Sequence, residues 1–308
     1  MLNKSKIFIF WHYSPVGGDK DARKEKLVRR GEFYISMDFL DNWDKELEEM
    51  NKGKKGRPYE YPDSFMFFLA FLHIAFLPFR QLEGFLRELS KYIPKLKAAD
   101  YITIFKRLKK IKIEFPLQEL NDDIVVAIDS TGMKVSSRRE WIRHKWKVKK
   151  GRIKVHVAVD VKTKKLLALE ITDERAGDGK MLQPLIKQAK RNSNGKKIKA
   201  AYADGAYDSR NNFNFLDKEG TEPIIKIRKN ASTRARGSPA RAEKVREMKE
   251  IGYEGWKDKY KYGQRWAAET FFSGVKRILG ETSKARSVEG VFQEVKLKFL
   301  FYNMLLCL

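Results

Sequence analysis

Cysteine is almost absent from this chain. The single one, Cys307, stands next to the last of 308 residues. That excludes an internal disulfide and any cysteine-rich zinc site, and it fits a reducing compartment. Histidine is scarce too. The residues at 12, 73, 144 and 156 form no H-x3-H or similar metal-ligand spacing. His73 lies in an apolar run and reads as a core histidine. Long hydrophobic runs are missing. The longest uncharged one, FMFFLAFLHIAFLPF at residues 65–79, is too short to span a bilayer and has Pro78 near its end. It predicts a buried helix. Lys4 and Lys6 precede an apolar stretch at residues 7–11 that is too short for a signal peptide. No membrane association is expected. Acids are in deficit, with 40 Asp and Glu against 65 Lys and Arg, a formal net charge of +25. Such an excess opposes compaction unless a polyanion is the partner. Nucleic acid is the natural one, ahead of an anionic membrane surface.

What is present suffices for one large domain or two smaller ones, with 42% hydrophobic residues to build a core. Residues 1–60 show little pattern beyond a short acidic helix over 37–50. A basic Gly- and Pro-containing linker follows, NKGKKGRPYEYP. Asp63 or Ser64 is placed to cap the apolar helix. A second helix, FRQLEGFLRELSKYI, places Leu82, Phe85, Leu86 and Leu89 at helical spacing. A third, DYITIFKRLKKIKI, turns Ile104, Leu108 and Ile111 inward and leaves Lys106, Arg107, Lys109 and Lys110 on a basic outer face. Three short helices with a basic last one suggest a helix-turn-helix-like DNA-binding unit over about 60–115, within an N-terminal region of 1–120.

The period changes at Asp123. IVVAID reads as a central strand ending at Asp129, and residues 153–161 and 166–172 as an antiparallel hairpin. A helix over 179–191 follows, with Asp178 as its cap. The next strand ends at Asp204, a short helix starts at Ser209, and EPIIKIR is a fifth strand. The order β-β-β-α-β-α-β-α is that of a ribonuclease-H-like domain over 121–308: an α/β fold with a mixed five-stranded sheet and flanking helices. Asp129 and Asp204 then project into one site if their strands are neighbours. A carboxylate ending an apolar strand is costly unless it binds a cation or collects hydrogen bonds.

The segment YGQRWAAETFFSGVK, residues 262–276, supplies a third acid. Its spacing is Y-x2-R-x3-E-x6-K, filled by Tyr262, Arg265, Glu269 and Lys276. On a helix Arg265, Glu269 and Lys276 share one stripe, and Ala268, Phe271, Val275 and Ile278 another. An acid between two cations suits chemistry on a nucleic-acid backbone. Two basic blocks flank these acids. Residues 132–164 interleave Trp141 and Trp146, and residues 226–249 read as a flexible part of a short insertion at about 229–261. Both suit contacts to phosphates and bases. Ser130 and Thr131 lack a nearby histidine base in the sequence, so a covalent serine mechanism is unsupported.

The Y-x2-R-x3-E-x6-K signature after two strand-end aspartates, VVAIDSTG and AYADGAYD, resembles the DDE-class transposases of prokaryotic insertion sequences. The resemblance runs from about Gly56 to the C-terminus. It implies a cytoplasmic, nucleoid-associated enzyme that hydrolyses phosphodiester bonds at the ends of a transposable element. It then transfers the freed 3′-hydroxyl ends into target DNA. The implied cofactor is Mg2+ or Mn2+, held by Asp129, Asp204 and Glu269, and the implied DNA phosphate contacts are Tyr262, Arg265 and Lys276. The implied partners are terminal inverted repeats, target DNA and a second protomer, as a homodimer on DNA. End recognition falls to Lys106, Arg107, Lys109 and Lys110. Two readings share part of this pattern: a ribonuclease-H-like nuclease that cuts without joining, and a non-catalytic DNA-binding protein derived from a transposase.

Overall fold

The computed structural model describes residues 19–111, 123–135 and 152–308. These divide into two compact units, one within Met1–Glu114 and completed by Leu297–Leu308, the other within Phe115–Lys296. Among the described residues no helix is long and apolar enough to cross a membrane. The Trp141 and Trp146 part of the first basic block lies outside the described residues.

The first unit is helical. α1 (Asp19–Ile35) occupies a stretch whose pattern predicted no element. A 3-10 turn (Asp38–Leu40) and α2 (Trp43–Asn51) form the acidic segment. α3 (Asp63–Ala75) is the apolar run, and Phe65, Met66, Leu69 and Ala70 are fully buried. The rings of Phe39 and Trp43 lie 5.2 and 5.0 Å from that of Phe65. Neither expected cap acts as one: α3 starts after Pro62 with no side-chain cap. Instead the Ser64 amide and hydroxyl donate to Glu46 at 2.9 and 2.5 Å, and Asp63 accepts from Arg107. α4 (Phe79–Leu89) begins after Pro78 and buries Leu82 and Leu86. α5 (Tyr101–Lys110) is capped by Asp100, which accepts from the amides of Ile102 and Thr103 at 2.9 Å each. It buries Ile104 and Leu108. His73 is half-buried and satisfied, with Nδ1 2.9 Å from the Leu77 carbonyl and its ring stacked on Phe79.

The second unit is a mixed α/β layer structure. Its elements are β1 (Ile124–Val135), β2 (Arg152–Asp160), β3 (Leu166–Asp173), α6 (Leu182–Asn192), β4 (Ile198–Ala203), α7 (Arg210–Lys218), β5 (Glu222–Ile225), α8 (Pro239–Lys259), α9 (Trp266–Leu279) and β6 (Thr282–Ser283). α10 (Val288–Cys307) ends in the first unit. The sheet has six strands in the order β3-β2-β1-β4-β5, with β6 also on β1. β2 runs antiparallel to β1 and β3, whereas β4 and β6 are parallel to β1. The small β6 is the strand the sequence pattern omits.

Two expectations are corrected. β1 does not stop at Asp129: it pairs with β2 as far as Lys134↔Arg152, and the burial of Met133 and Val135 carries its alternation past the polar DSTG. β4 pairs with β1 only to Ala127↔Tyr202, and β6 joins at Lys134↔Thr282. Residues 128–133 thus lie between two partners on that edge. The supposed flexible insertion is largely α8, a run of good helix formers opened by Pro239 at its first turn. Only Gly252 departs from helical geometry, with φ 71° and ψ 168°.

Sheet alternation sets which residues meet the core. Val126, Ile128, Ala201 and Ala203 pack with Leu185 of α6 and Phe213 of α7. The opposite face carries Ala127 and Asp129 on β1, and Ala200 and Tyr202 on β4 with Asp204 just beyond.

Candidate active site

Asp129 and Asp204 are brought side by side by register. Ala127 is the partner of Tyr202 in the parallel pair, and each aspartate lies two residues further along. Asp129 is half-buried. Its Oδ1 accepts from the Ser130 amide at 2.8 Å. Asp204 caps a 3-10 turn (Gly205–Tyr207), accepting from the Ala206 amide at 2.8 Å.

The signature segment is split between two elements. Tyr262 and Arg265 bound a 3-10 turn (Tyr262–Arg265), and Glu269 sits in the first turn of α9. Arg265 bridges two of the acids: Nη1 donates to Asp129 Oδ2 at 3.0 Å and Nη2 to Glu269 Oε1 at 2.5 Å. Lys276, two turns along α9, donates to Thr131 Oγ1 at 2.7 Å. Ala268, Phe271 and Val275 anchor the helix on its buried side.

Among the described residues no three His, Cys, Asp or Glu side chains stand together closely enough to hold a metal ion as placed. The reason is visible in the contacts. Clustered carboxylates repel, and the planar fork of Arg265 neutralises two of them at once. Asp129 nevertheless senses the other two acids. Burial pushes the Asp129 carboxyl above its ordinary range; Asp204 and Glu269 add to the rise, while the Ser130 amide and Arg265 oppose it. Two sheet carboxylates and one helix carboxylate are the oxygen-donor type that hard divalent cations take, although as placed the three do not close around one.

Two expected contacts take other partners. Tyr262 is buried, and its hydroxyl donates to the Ala203 carbonyl at 2.9 Å while its ring packs 4.9 Å from Trp256. As placed it ties the signature turn to the end of β4 and does not offer its hydroxyl to a phosphate. Arg107 donates to the Tyr61 carbonyl at 3.1 Å and to Asp63 at 2.5 Å, and lies 4.6 Å from the centre of the Tyr59 ring. It holds the first unit together. Lys106, Lys109 and Lys110 are exposed on α5.

Two clefts flank the acids, and Arg265 lines the second of them. One, of about 650 Å³, is lined by Asp129, Thr131, Glu269 and Lys276, with Arg277 at its edge. The other, of about 790 Å³, runs past Asp204 and is lined by Lys226, Arg228, Lys229 and Lys257, with Trp266 beside them. Trp266 is 66% exposed. The sequence reading missed these residues individually, although the basic stretch over 226–249 was the signal for Lys226, Arg228 and Lys229; Lys257 and Trp266 lie beyond it. It also missed Asp178, which caps no helix: its Oδ1 accepts from Ser130 Oγ at 3.0 Å and from Lys154 Nζ at 3.1 Å. His156 is directly opposite Ser130 in the β1–β2 ladder, a proximity no sequence spacing announces.

Family models described as "Transposase DDE domain" match residues 120–304 and 28–138. The piggyBac transposase synaptic complex with hairpin DNA is similar at a TM-score of 0.39 and 12% identity, over 90% of this chain and 73% of that one. Nothing further follows from a likeness at that level. The first family match alone spans more than half of the sequence, and on it this chain belongs to the DDE transposase domain family.

Proposed function

We propose that this protein is a divalent-metal-dependent DNA transposase whose active site is Asp129, Asp204 and Glu269. The observation that carries the reading is the register of β1 and β4, which sets two aspartates side by side on one face, with Arg265 joining Asp129 to Glu269. The strand order and directions support a ribonuclease-H-like sheet. When bound by these carboxylates, Mg2+ or Mn2+ supplies Lewis-acid activation of a water or 3′-hydroxyl and neutralises the leaving oxygen.

The chain's own residues do the rest. Asp129 is held by the Ser130 amide and Asp204 by the Ala206 amide, so both carboxylates are oriented before substrate arrives. Arg265 bonds two of the acids, and Lys276 lines the same cleft as Asp129 and Glu269. A DNA phosphate entering the cleft would draw each from its present partner, Arg265 by a bidentate pair and Lys276 as a point charge. The lysine- and arginine-lined cleft beside Asp204 gives the duplex a second positive wall. The helices α3–α5, within residues 60–115, would recognise element ends through Lys106, Lys109 and Lys110, and two protomers would pair two ends.

The test uses the full chain and DNA carrying its element's terminal repeats. Cleavage with Mg2+ and joining of the released 3′ ends are expected. Asp129→Ala, Asp204→Ala and Glu269→Ala should each abolish both, with binding to end DNA retained. Cleavage that survives any of the three substitutions contradicts the assignment; cleavage without joining identifies a nuclease instead.

A further inference from the structure

Asp129 lies within β1 and Asp204 just beyond β4, yet both positions are tied to one short segment behind the sheet. Asp178 reaches β1: its Oδ1 accepts from Ser130 Oγ at 3.0 Å, and the Ser130 amide in turn holds Asp129 at 2.8 Å. Lys154 donates to the same Asp178 oxygen at 3.1 Å and to the Ala176 carbonyl at 3.2 Å, which balances the charge and pins the segment to β2. Gly179 reaches the other end. A Cβ there would lie 2.9 Å from the Ala206 carbonyl, in the turn whose amide holds Asp204. The Gly179 carbonyl accepts from Asn212 Nδ2 at 2.9 Å, and that group also donates to the Tyr207 carbonyl at 2.9 Å. Asn212 is buried. Gly179 is not among the glycines with positive φ, so close approach, not backbone conformation, excludes a side chain.

We propose that Asp178 and Gly179 are positioning residues: as one brace they set the separation of Asp129 and Asp204, and with it the affinity of the site for divalent metal. The inference rests on the metal-site reading above. Neither residue faces the acids directly. They act through Ser130 on one side and through Ala206 and Asn212 on the other. Residues that orient metal ligands typically change affinity by about 10–100-fold when lost.

The experiment titrates Mn2+ into the full chain without DNA, reading free Mn2+ by electron paramagnetic resonance. Metal-dependent cleavage and thermal unfolding are measured in parallel. Asp178→Ala and Gly179→Ala should weaken Mn2+ binding by about tenfold or more, and raise the metal concentration for half-maximal cleavage in step. Saturating metal should return most of the rate. Asp178→Asn, which keeps an acceptor for Ser130, should recover part of the affinity. Ser130→Ala should mimic Asp178→Ala and Ser130→Thr should not, so the idea stays testable if Gly179→Ala fails to fold. Wild-type Mn2+ affinity in folded Asp178→Ala and Ser130→Ala overturns the brace, even if their melting temperatures drop. A wild-type chain whose Mn2+ binding is absent, or indifferent to Asp129→Ala, overturns the metal-site reading and the brace with it.

Discussion

Arg265 stands where an acid-acid repulsion would otherwise be. It donates to Asp129 and to Glu269 with one guanidinium, so it competes with a cation for the same oxygens. Arg265→Ala should therefore leave the metal affinity of the DNA-free protein unchanged or higher, while turnover falls. Excess Mg2+ should not restore the rate, because the missing group is then a phosphate contact. Arg265→Lys should rescue only partly, since an ammonium lacks the fork. Full recovery of Arg265→Ala at high Mg2+ would show that the residue organises the carboxylates. A second residue-scale consequence concerns acid stability. Burial lowers the His156 pKa to about 4, with Asp178 opposing the drop and Lys154 adding to it. The unfolded chain then binds a proton that the folded chain refuses between pH 6.5 and 4. Stability is fully present above pH 6.5 and falls as pH drops through that window, by roughly 3 kcal/mol from this group. Denaturant titrations at pH 7, 5.5 and 4 should show a shallower loss for His156→Gln than for the natural chain. Equal slopes would contradict the assignment.

At the scale of elements, α5 separates two kinds of basic residue that look alike in sequence. Arg107 is ion-paired to Asp63 and bonded to Tyr61, so Arg107→Ala should cost roughly 1.5–3 kcal/mol of stability. Lys106→Ala and Lys110→Ala should leave stability nearly unchanged. Each should weaken binding to end DNA and lower the salt dependence by about one unit of log–log slope. Matched unfolding and salt-titrated binding curves separate the two, and a reversed pattern would contradict the contacts. Four of the strands and the α3–α5 helices were legible because their apolar periods are strong, as with Ile104 and Leu108 of α5 or residues 65–75. Which strand faces carry Asp129 and Asp204 was legible because period two fixes a face; that their strands are neighbours is shown only by the pairing. The extent of β1 was not. The polar DSTG looks like a turn, and only pairing with β2 and β6 keeps it extended. α8 was hidden because its charged sequence has little apolar pattern, with Ala242, Val245 and Trp256 its buried residues. Tyr262 was misread because a spacing motif does not reveal that a hydroxyl will find the Ala203 carbonyl. Asp178 opens a 3-10 turn (Asp178–Met181), where sequence alone offers a helix cap as the nearest role.

At the scale of the molecule, the last helix returns to the helices of the first unit. Phe301 of α10 packs on Phe67 and Phe71 of α3, with ring centres at 4.8 and 5.2 Å, and Arg30 of α1 donates to the Leu305 carbonyl at 2.9 Å. No local pattern announces this closure, since contacts between distant segments leave no local period. It makes the last helix part of the unit that carries α5, while the acids belong to the other unit. The excess charge of +25 is explained at this scale too, because a polyanion is the expected partner. The most direct test of the central claim is a crystal structure of the full chain with end DNA and Mn2+, read by anomalous scattering. The account predicts two peaks about 4 Å apart, touching Asp129, Asp204 and Glu269, with Arg265 turned to a phosphate. Manganese bound elsewhere on an active protein, with these three carboxylates bare, would contradict it.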